Sequence, residues 1–341
     1  MKVLLSSEFG DKCGGAGIVA SNRQSQCKFD KVITFSYRGK HRVISYLEYL
    51  FVIIKIIKVL KFANYIEVND EVMAYLLSVS AKLSLREVTL DRLNLHGSEI
   101  EYVLNNQSLL RRVIGFKTLF VKLLFETKIV SVPSRHFLNR VEKAVSKTIK
   151  NYIVEYPVSQ LLNVKLNAYN SIESGEDGTI DIVTVARIEK TKGLLNVFEV
   201  LNECSSSCSI RWHVIGDGEF LHELSEYVHR HKSNFLDVVF YGRLPNDEVI
   251  DIMCGKDFFI LLPDEVESFG IVYAEAAFVG LIPITYPSSA ICEFFKECGV
   301  RYIEFVSPSL LKDDFLRYNR DSNNHKIFNE YLYERNFSMR K

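Results

Sequence analysis

The sequence has no net charge: its 42 Lys plus Arg are matched by 42 Asp plus Glu. At the level of the whole chain this excludes a polybasic nucleic-acid binder and an acidic solvating protein. It has no apolar run long enough to cross a bilayer. The most apolar stretch, Val43 to Phe62, is broken by charge, and its longest uncharged run is Tyr49 to Ile54. A span needs roughly 20 apolar residues. It has no C-x-x-C pair. Seven cysteines stand at 13, 27, 204, 208, 254, 292 and 298, and their scatter reads as buried thiols in a reducing compartment rather than as a zinc or redox site. No secretory leader is expected at Met1–Leu5, which is soon interrupted by Glu8 and reads as a buried first strand. It has no Asp-x-Asp pair, no G-x-G-x-x-G, no repeat of solenoid period and no low-complexity segment.

The zero charge is the sum of two unequal halves. Residues 1–170 carry 25 basic and 14 acidic side chains, an excess of +11; residues 171–341 carry 17 and 28, an excess of −11. With 48% hydrophobic residues over 341 positions, the chain can build one large or two medium cores.

The pattern alternates short β-branched runs with longer stretches of helical period. Strands are predicted at Lys2–Ser6, Lys31–Ser36, Tyr65–Val68, Glu87–Leu90 and Lys128–Val132, with helices between them. Asn163 to Gly178 has few bulky apolar residues and contains Ser-Gly-Glu-Asp-Gly, the best linker in the chain. The rhythm then restarts, with strands predicted at Ile180–Val185, Ile210–Ile215, Val238–Tyr241, Phe258–Leu262 and Ile282–Thr285. The fold class is therefore α/β, with two Rossmann-like domains facing a cleft. Their expected extents are 1–165 and 179–310, followed by a helical tail, 311–341, that packs back on the N-terminal domain.

Several short motifs sit where strands give way to helices. Gly14-Gly15-Ala16-Gly17 follows the first strand; it is equally a tight turn or a loop whose amides approach an anion. Arg187 and Lys192-Gly193 leave the first strand of the second series. A guanidinium fork and an ammonium near a helix start suit a diphosphate, although a solvated basic loop would look the same. Gly216-Asp217-Gly218 is by itself a turn. Glu267-Ser-Phe269-Gly270-Ile271 with Glu275 is the strongest cluster. A glycine turn opens a helix whose amides can meet phosphate, and a glutamate in that helix can accept from vicinal hydroxyls. A helix whose early glutamates complement its dipole is the plain alternative.

In order, Arg187, Lys192-Gly193, Gly216-Asp217-Gly218, Gly242, Glu267-Ser-Phe269-Gly270 with Glu275, and Gly280-Leu-Ile-Pro283 resemble the retaining, nucleotide-sugar-dependent glycosyltransferases of the GT-B fold, family 4. The N-terminal half matches loosely, through the glycine loop and Leu95-His96-Gly97-Ser98. The resemblance implies a hexosyl transfer from a nucleotide sugar to a glycan or lipid-linked acceptor in bacterial surface-polysaccharide assembly. It implies catalytic roles for His96, Arg187, Lys192 and Glu267, and donor contacts from Gly15, Ala16, Gly216, Phe269, Gly270, Ile271 and Glu275. Arg187 and Lys192 would neutralise the diphosphate, Glu275 would hold the ribose, Glu267 would meet the sugar, and His96 would help orient it. Without an Asp-x-Asp pair no metal or other cofactor is expected. Two departures stand out: Pro263-Asp264 replaces the family's Pro-Ser, and Ile153–Pro157 lacks its Asn-Gly. A nucleotide-sugar epimerase of the same shape and a non-catalytic donor-binding scaffold are the alternatives.

The basic half holds two amphipathic segments. Lys55, Lys58 and Lys61 recur among Leu50, Phe51, Ile53, Ile54, Ile57 and Leu60, and Arg111, Arg112, Lys117 and Lys122 among Phe116, Leu119, Phe120 and Phe125. Such helices read as core helices with solvated basic faces or as membrane-surface elements. The expected location is cytoplasmic, peripheral on the inner face of the cytoplasmic membrane, with an anionic membrane surface as partner through Lys55, Lys58, Lys61, Arg111 and Arg112, and no nucleic acid.

Overall fold

A computed structural model describes residues 1–7, 9, 15–35, 42–97, 112, 115–158, 178–264, 267–318, 324–328 and 330–331. The chain divides into two compact units, Met1–Ser159 and Gln160–Lys341. The linker expected at Asn163 to Gly178 falls, up to residue 177, outside the described residues.

The first unit contains β1 (Lys2–Ser6), α1 (Gly15–Cys27), β2 (Lys31–Thr34), α2 (Arg42–Leu60), β3 (Tyr65–Val68), α3 (Glu71–Leu83), β4 (Arg92–Asn94), α4 (Phe116–Glu126), β5 (Ile129–Val132), α5 (Arg135–Val145) and β6 (Tyr152–Val154). Its parallel sheet has the order β2-β1-β3-β4-β5-β6, so the direction of winding reverses between β1 and β3. Alternation along the strands separates two faces. Val3 and Leu5 enter the large core with residues of α2, α3, α4 and α5, whereas Leu4 packs with Ala20 and Phe29 on the α1 face. Local signals fix the helix starts. Asp70 caps α3 by accepting from Met73 N, and Ser134 caps α5 by accepting from Phe137 N.

The strand expected at Glu87–Leu90 is displaced: that stretch is irregular, and the fourth strand is Arg92–Asn94. The cause is a polar sheet face. Leu4, Glu67 and Arg92 align across β1, β3 and β4. The buried Glu67 carboxylate accepts two bonds from Arg23 of α1, at 2.7 and 2.8 Å, and one from Asn94. Arg92 donates to Asn94, Ser131 and Glu155. Arginine and asparagine are poor strand signals in a sequence, but here each buried polar group has a partner.

The second unit contains β7 (Ile180–Val185), a 3-10 turn (Lys190–Lys192), α6 (Leu194–Cys204), β8 (Ile210–Ile215), α7 (Leu221–His231), β9 (Leu236–Gly242), α8 (Asn246–Met253), β10 (Phe258–Ile260), α9 (Ile271–Phe278), β11 (Ile282–Thr285), α10 (Ala290–Cys298), β12 (Ile303–Glu304) and α11 (Pro308–Leu316). The parallel sheet runs β12-β11-β10-β7-β8-β9. β7 is buried almost throughout, as a central strand covered on both faces must be. Trp212 of β8 is fully buried and donates to Thr184 of β7, which donates to Ile260 O of β10.

The tail, expected to pack back on the N-terminal domain, packs over its described residues on the second unit. Phe315 of α11 lies 5.0 Å from Phe258. Asn324 Nδ2 donates to Leu281 O and Arg301 O, and the buried Phe328 meets Phe278 and Phe294 edge-on. Burying Phe315 and Phe328 here is worth about 2 kcal/mol each.

Candidate functional site

In the second unit the chain enters the sheet at β7, adds β8 and β9 on one side, then returns to add β10, β11 and β12 on the other. The winding reverses between β7 and β10. Loops leaving the carboxyl ends of two such strands diverge to opposite faces and leave room for a ligand. The loop after β7 carries Arg187 and Lys192; the loop after β10 leads to Glu267 and Gly270.

These two loops are tied together. Lys192 Nζ lies 2.7 Å from Glu267 Oε1, with the side chains 25% and 22% exposed. Asp264 N donates to Thr191 O, and Asp264 Oδ1 accepts from Asn196 Nδ2. Asp264, which departs from the family pattern, thus braces the Lys192 turn. Gly193 has φ +68, and a Cβ there would stand 1.8 Å from Leu262 O. Only glycine lets the two loops touch at that point.

Glu267 lies against the start of α9. Gly270 caps the helix with φ +84, and a Cβ on it would meet Glu267 Oε2 at 2.9 Å and the Tyr273 ring at 2.7 Å. The N-cap of α9 is a glycine, which offers no side chain to the leading amides, and no acidic residue occupies the helix's first turn. Its leading amides, Ile271 among them, therefore form a positive helix end beside the Lys192–Glu267 pair. Glu275 lies in the second turn of this helix and is half-buried.

Other predicted site residues have different duties. Phe269 is buried and packs edge-on against Phe294 at 5.5 Å, so its ring anchors the loop. Gly216 spends its amide on Gly242 O at 2.8 Å, and Ile188 N donates to Asp217 O; the Gly-Asp-Gly turn thus supports the Arg187 loop from beneath. Arg187 is exposed and pairs with Glu189 at 2.7 Å.

Sequence reasoning missed Tyr273. It is fully buried, its hydroxyl donates to Leu261 O at 2.6 Å, and its ring fills the space that Gly270 leaves. Burial, with the Glu267 charge nearby, pushes its phenol well above the ordinary value, so it remains a neutral donor. One turn after Gly270, it could have been read as the packing partner of that glycine.

The first unit gathers a second group at its own reversal, between β1 and β3. Ser6 Oγ accepts from Asn69 Nδ2, and Ser7 N donates to Asp70 Oδ2 at 2.6 Å. His96 Nε2 lies 3.1 Å from Asn69 Oδ1. Because that amide oxygen can only accept, the bond puts the imidazole proton on Nε2. Desolvation holds the His96 pKa down at about 4, so the ring is neutral at pH 7. Burial also pushes the Asp70 carboxyl upward, against the amide bonds it accepts. Asn69, held in turn by Ser6, was not anticipated as a support of His96. Gly15 and Ala16 open α1, after β1. Of the basic residues in the second amphipathic segment, Arg111 lies outside the described residues and Arg112 is exposed. Among the described residues no three His, Cys, Asp or Glu side chains come together in a way that could hold a metal ion.

Residues 170–335 match the family model for glycosyl transferases group 1. No curated protein matches the chain. Among solved structures, HepE of Anabaena in complex with UDP and glucose is similar, with 16% identity, a TM-score of 0.67, and coverage of 99% of this chain and 100% of that one. Trehalose-6-phosphate synthase OtsA follows at 11% identity, TM-score 0.65, and coverage of 98% and 96%. The lipopolysaccharide outer core galactosyltransferase WaaB, in its apo form, matches at 14% identity, TM-score 0.58, and coverage of 98% and 100%. At these identities the likeness establishes the fold: two parallel-sheet, Rossmann-like α/β units of the GT-B class.

Proposed function

We propose that this chain is a glycosyltransferase that moves a hexosyl group from a nucleoside-diphosphate sugar to a glycan or lipid-linked acceptor, with retention of configuration and without a metal, in surface-polysaccharide assembly. The observation that carries the reading is the Lys192–Glu267 pair at the β7/β10 reversal, beside the glycine-capped start of α9. The family match over 170–335 and the UDP and glucose held by HepE support it.

The chemistry asks for positive charge where the donor's distal phosphate leaves. Lys192, the α9 amides and the exposed Arg187 fork supply it without a metal ion. Lys192 is paired with Glu267. A donor phosphate takes that place, and Glu267 turns to the hydroxyls of the sugar. Glu275 accepts from the ribose hydroxyls. The acceptor hydroxyl attacks the anomeric carbon on the face from which the diphosphate departs, and its proton passes to the departing phosphate oxygen. On the first unit the family resemblance gives neutral His96 a role at the transferred sugar, and the Gly15–Ala16 turn one at the phosphate.

A thermal-shift panel of nucleoside diphosphates and their sugars, with and without a chelator, tests the reading. One base should raise the melting temperature, since a ligand bound only by the folded state stabilises it. The shift should survive chelation. A panel with no shift for any base overturns the reading, and donor turnover without an acceptor turns it toward an epimerase.

A further inference from the structure

We propose that the outer face of α2 is a docking surface for an anionic lipid bilayer. The inner face of this helix is spent on the core, where Val52, Ile56, Val59 and Leu60 are buried. A surface helix ordinarily turns polar residues outward. Here Leu47, Leu50, Phe51 and Ile54 are 63%, 58%, 59% and 50% exposed within two turns. One exposed leucine needs no explanation, but four large apolar side chains side by side do.

The same face becomes basic toward the helix end. Lys55, Lys58 and Lys61 are exposed, and Phe62 beyond them is exposed as well. Positions 47, 51, 54, 58 and 61 advance by four and three residues in turn, so the apolar and basic parts form one stripe. Lys55 Nζ sits 4.5 Å from the Phe51 ring centroid, which joins the two parts. No helix of the described residues is long and apolar enough to cross a membrane. The stripe suits a helix lying in the interface, with its apolar side chains among acyl chains and its ammonium groups at headgroup phosphates.

Charge argues for lipid over a second copy of the chain. The only acidic residue of α2, Glu48, is not exposed, so a partnering copy of this face would bring Lys55 and Lys58 of α2 and the adjoining Lys61 but no exposed carboxylate of α2 to pair them. The +11 excess of residues 1–170 lies in the half that carries this helix, and an anionic surface complements it. The inference concerns a face remote in sequence from Lys192 and Glu267, and it stands whatever the transferred group is.

Vesicle flotation of the full chain tests it, on zwitterionic lipid with and without an anionic component. The chain should float with anionic vesicles at low salt and less as salt rises. Replacing Lys55, Lys58 and Lys61 by Gln should lower partitioning about fivefold each, hence about a hundredfold together. Phe51→Ser with Ile54→Ser should lower it at least about tenfold, with an unchanged far-UV spectrum because neither side chain is in the core. The native Trp212 is buried, so Phe51→Trp gives a second indole whose emission should shift blue when vesicles are added. The proposal is overturned by absence of flotation at low salt, by binding that survives both sets of substitutions, or by a concentration-dependent dimer that Phe51→Ser abolishes without any vesicle association.

Discussion

Consider Lys192→Ala. Among the described residues the ammonium pairs with Glu267 at 2.7 Å, and both side chains are about a quarter exposed. A pair so placed contributes only about 0.5–1 kcal/mol to folding after solvent screening. The melting temperature should then fall by no more than about 4 °C for a chain of this size. The effect on transfer is of another order. A unit charge about 4 Å from a phosphate that is gaining charge is worth about 4 kcal/mol at an effective dielectric constant of about 20. Removing one such preorganised group from an active site costs about a hundred- to a thousandfold in kcat. The assay is nucleoside-diphosphate release, using the donor that gives the largest thermal shift. Lys192→Ala should cut kcat/KM at least about a hundredfold while the chain stays folded. Lys192→Arg, which keeps the charge with a different reach, should recover part of it. Glu267→Gln gives the converse test: it frees the ammonium, so a bare nucleoside diphosphate should bind more tightly while transfer falls. A folded Lys192→Ala protein within about threefold of wild type would refute the assignment of this ion pair to the leaving phosphate.

Four further outcomes follow from the geometry. Gly270→Ala forces a Cβ to within 2.7 Å of the Tyr273 ring at a φ of +84, so it should cost about 1–3 kcal/mol in chemical denaturation and weaken donor binding as the α9 start shifts. His96 stays neutral down to about pH 4 in the folded chain, whereas the unfolded imidazole protonates near its ordinary 6.5. Between those values the unfolded state binds more protons, so stability should fall by at most about 3 kcal/mol as pH drops from about 6.5 to 4, and His96→Gln should remove that slope. The Glu67 carboxyl gives a separate, more acidic limb. Burial works to raise it, but the bonds and charge of Arg23, with Asn94 and Arg92, hold it below its ordinary value; the stability it adds is lost only as pH falls through the carboxylate range. Asp70→Ala should cost about 1–3 kcal/mol, because it strands Ser7 N and uncaps α3 together; hydrogen exchange should rise first at the ends of β1 and β3.

Much of the second unit was legible because its strands are short apolar runs punctuated by glycine. β7, β8 and β11 fall at the predicted residues. The first unit was less legible where the sheet is polar. Arg92-Leu-Asn became a strand only because Glu67 waits on the neighbouring strand, a pairing 25 residues away that no local pattern announces. β6 and β12, of three and two residues, are too short to show a period. At the site the charges were legible from types and order, but not their partners. Nothing local predicts that Lys192 meets Glu267, that Asp264 braces Thr191, or that Asn69 fixes the proton of His96. Such contacts join loops of different strands, and only the strand order decides which loops are neighbours.

That dependence on strand order explains why the motifs fall where they do. Each unit winds one way from its first strand and then the other, so each has one reversal, at β1/β3 and at β7/β10. The first βα turn of each unit opens at that reversal: the one that leads to Gly15–Ala16, and the one that carries Arg187 and Lys192. The strand across the reversal supplies Asn69 and Asp70 in one unit, and the loop with Glu267 and Gly270 in the other. The two units share this plan, yet their chemistry differs. The first holds an uncharged imidazole, and the second an ammonium poised against a carboxylate and a helix end. The difference follows from the neighbours: His96 is desolvated beside a neutral amide, whereas Lys192 meets a carboxylate 2.7 Å away. The zero net charge of the chain therefore says little about the site. Within the acidic half, Lys192 and Arg187 are each held 2.7 Å from a glutamate, so local pairing and not the overall balance sets the charge at these loops.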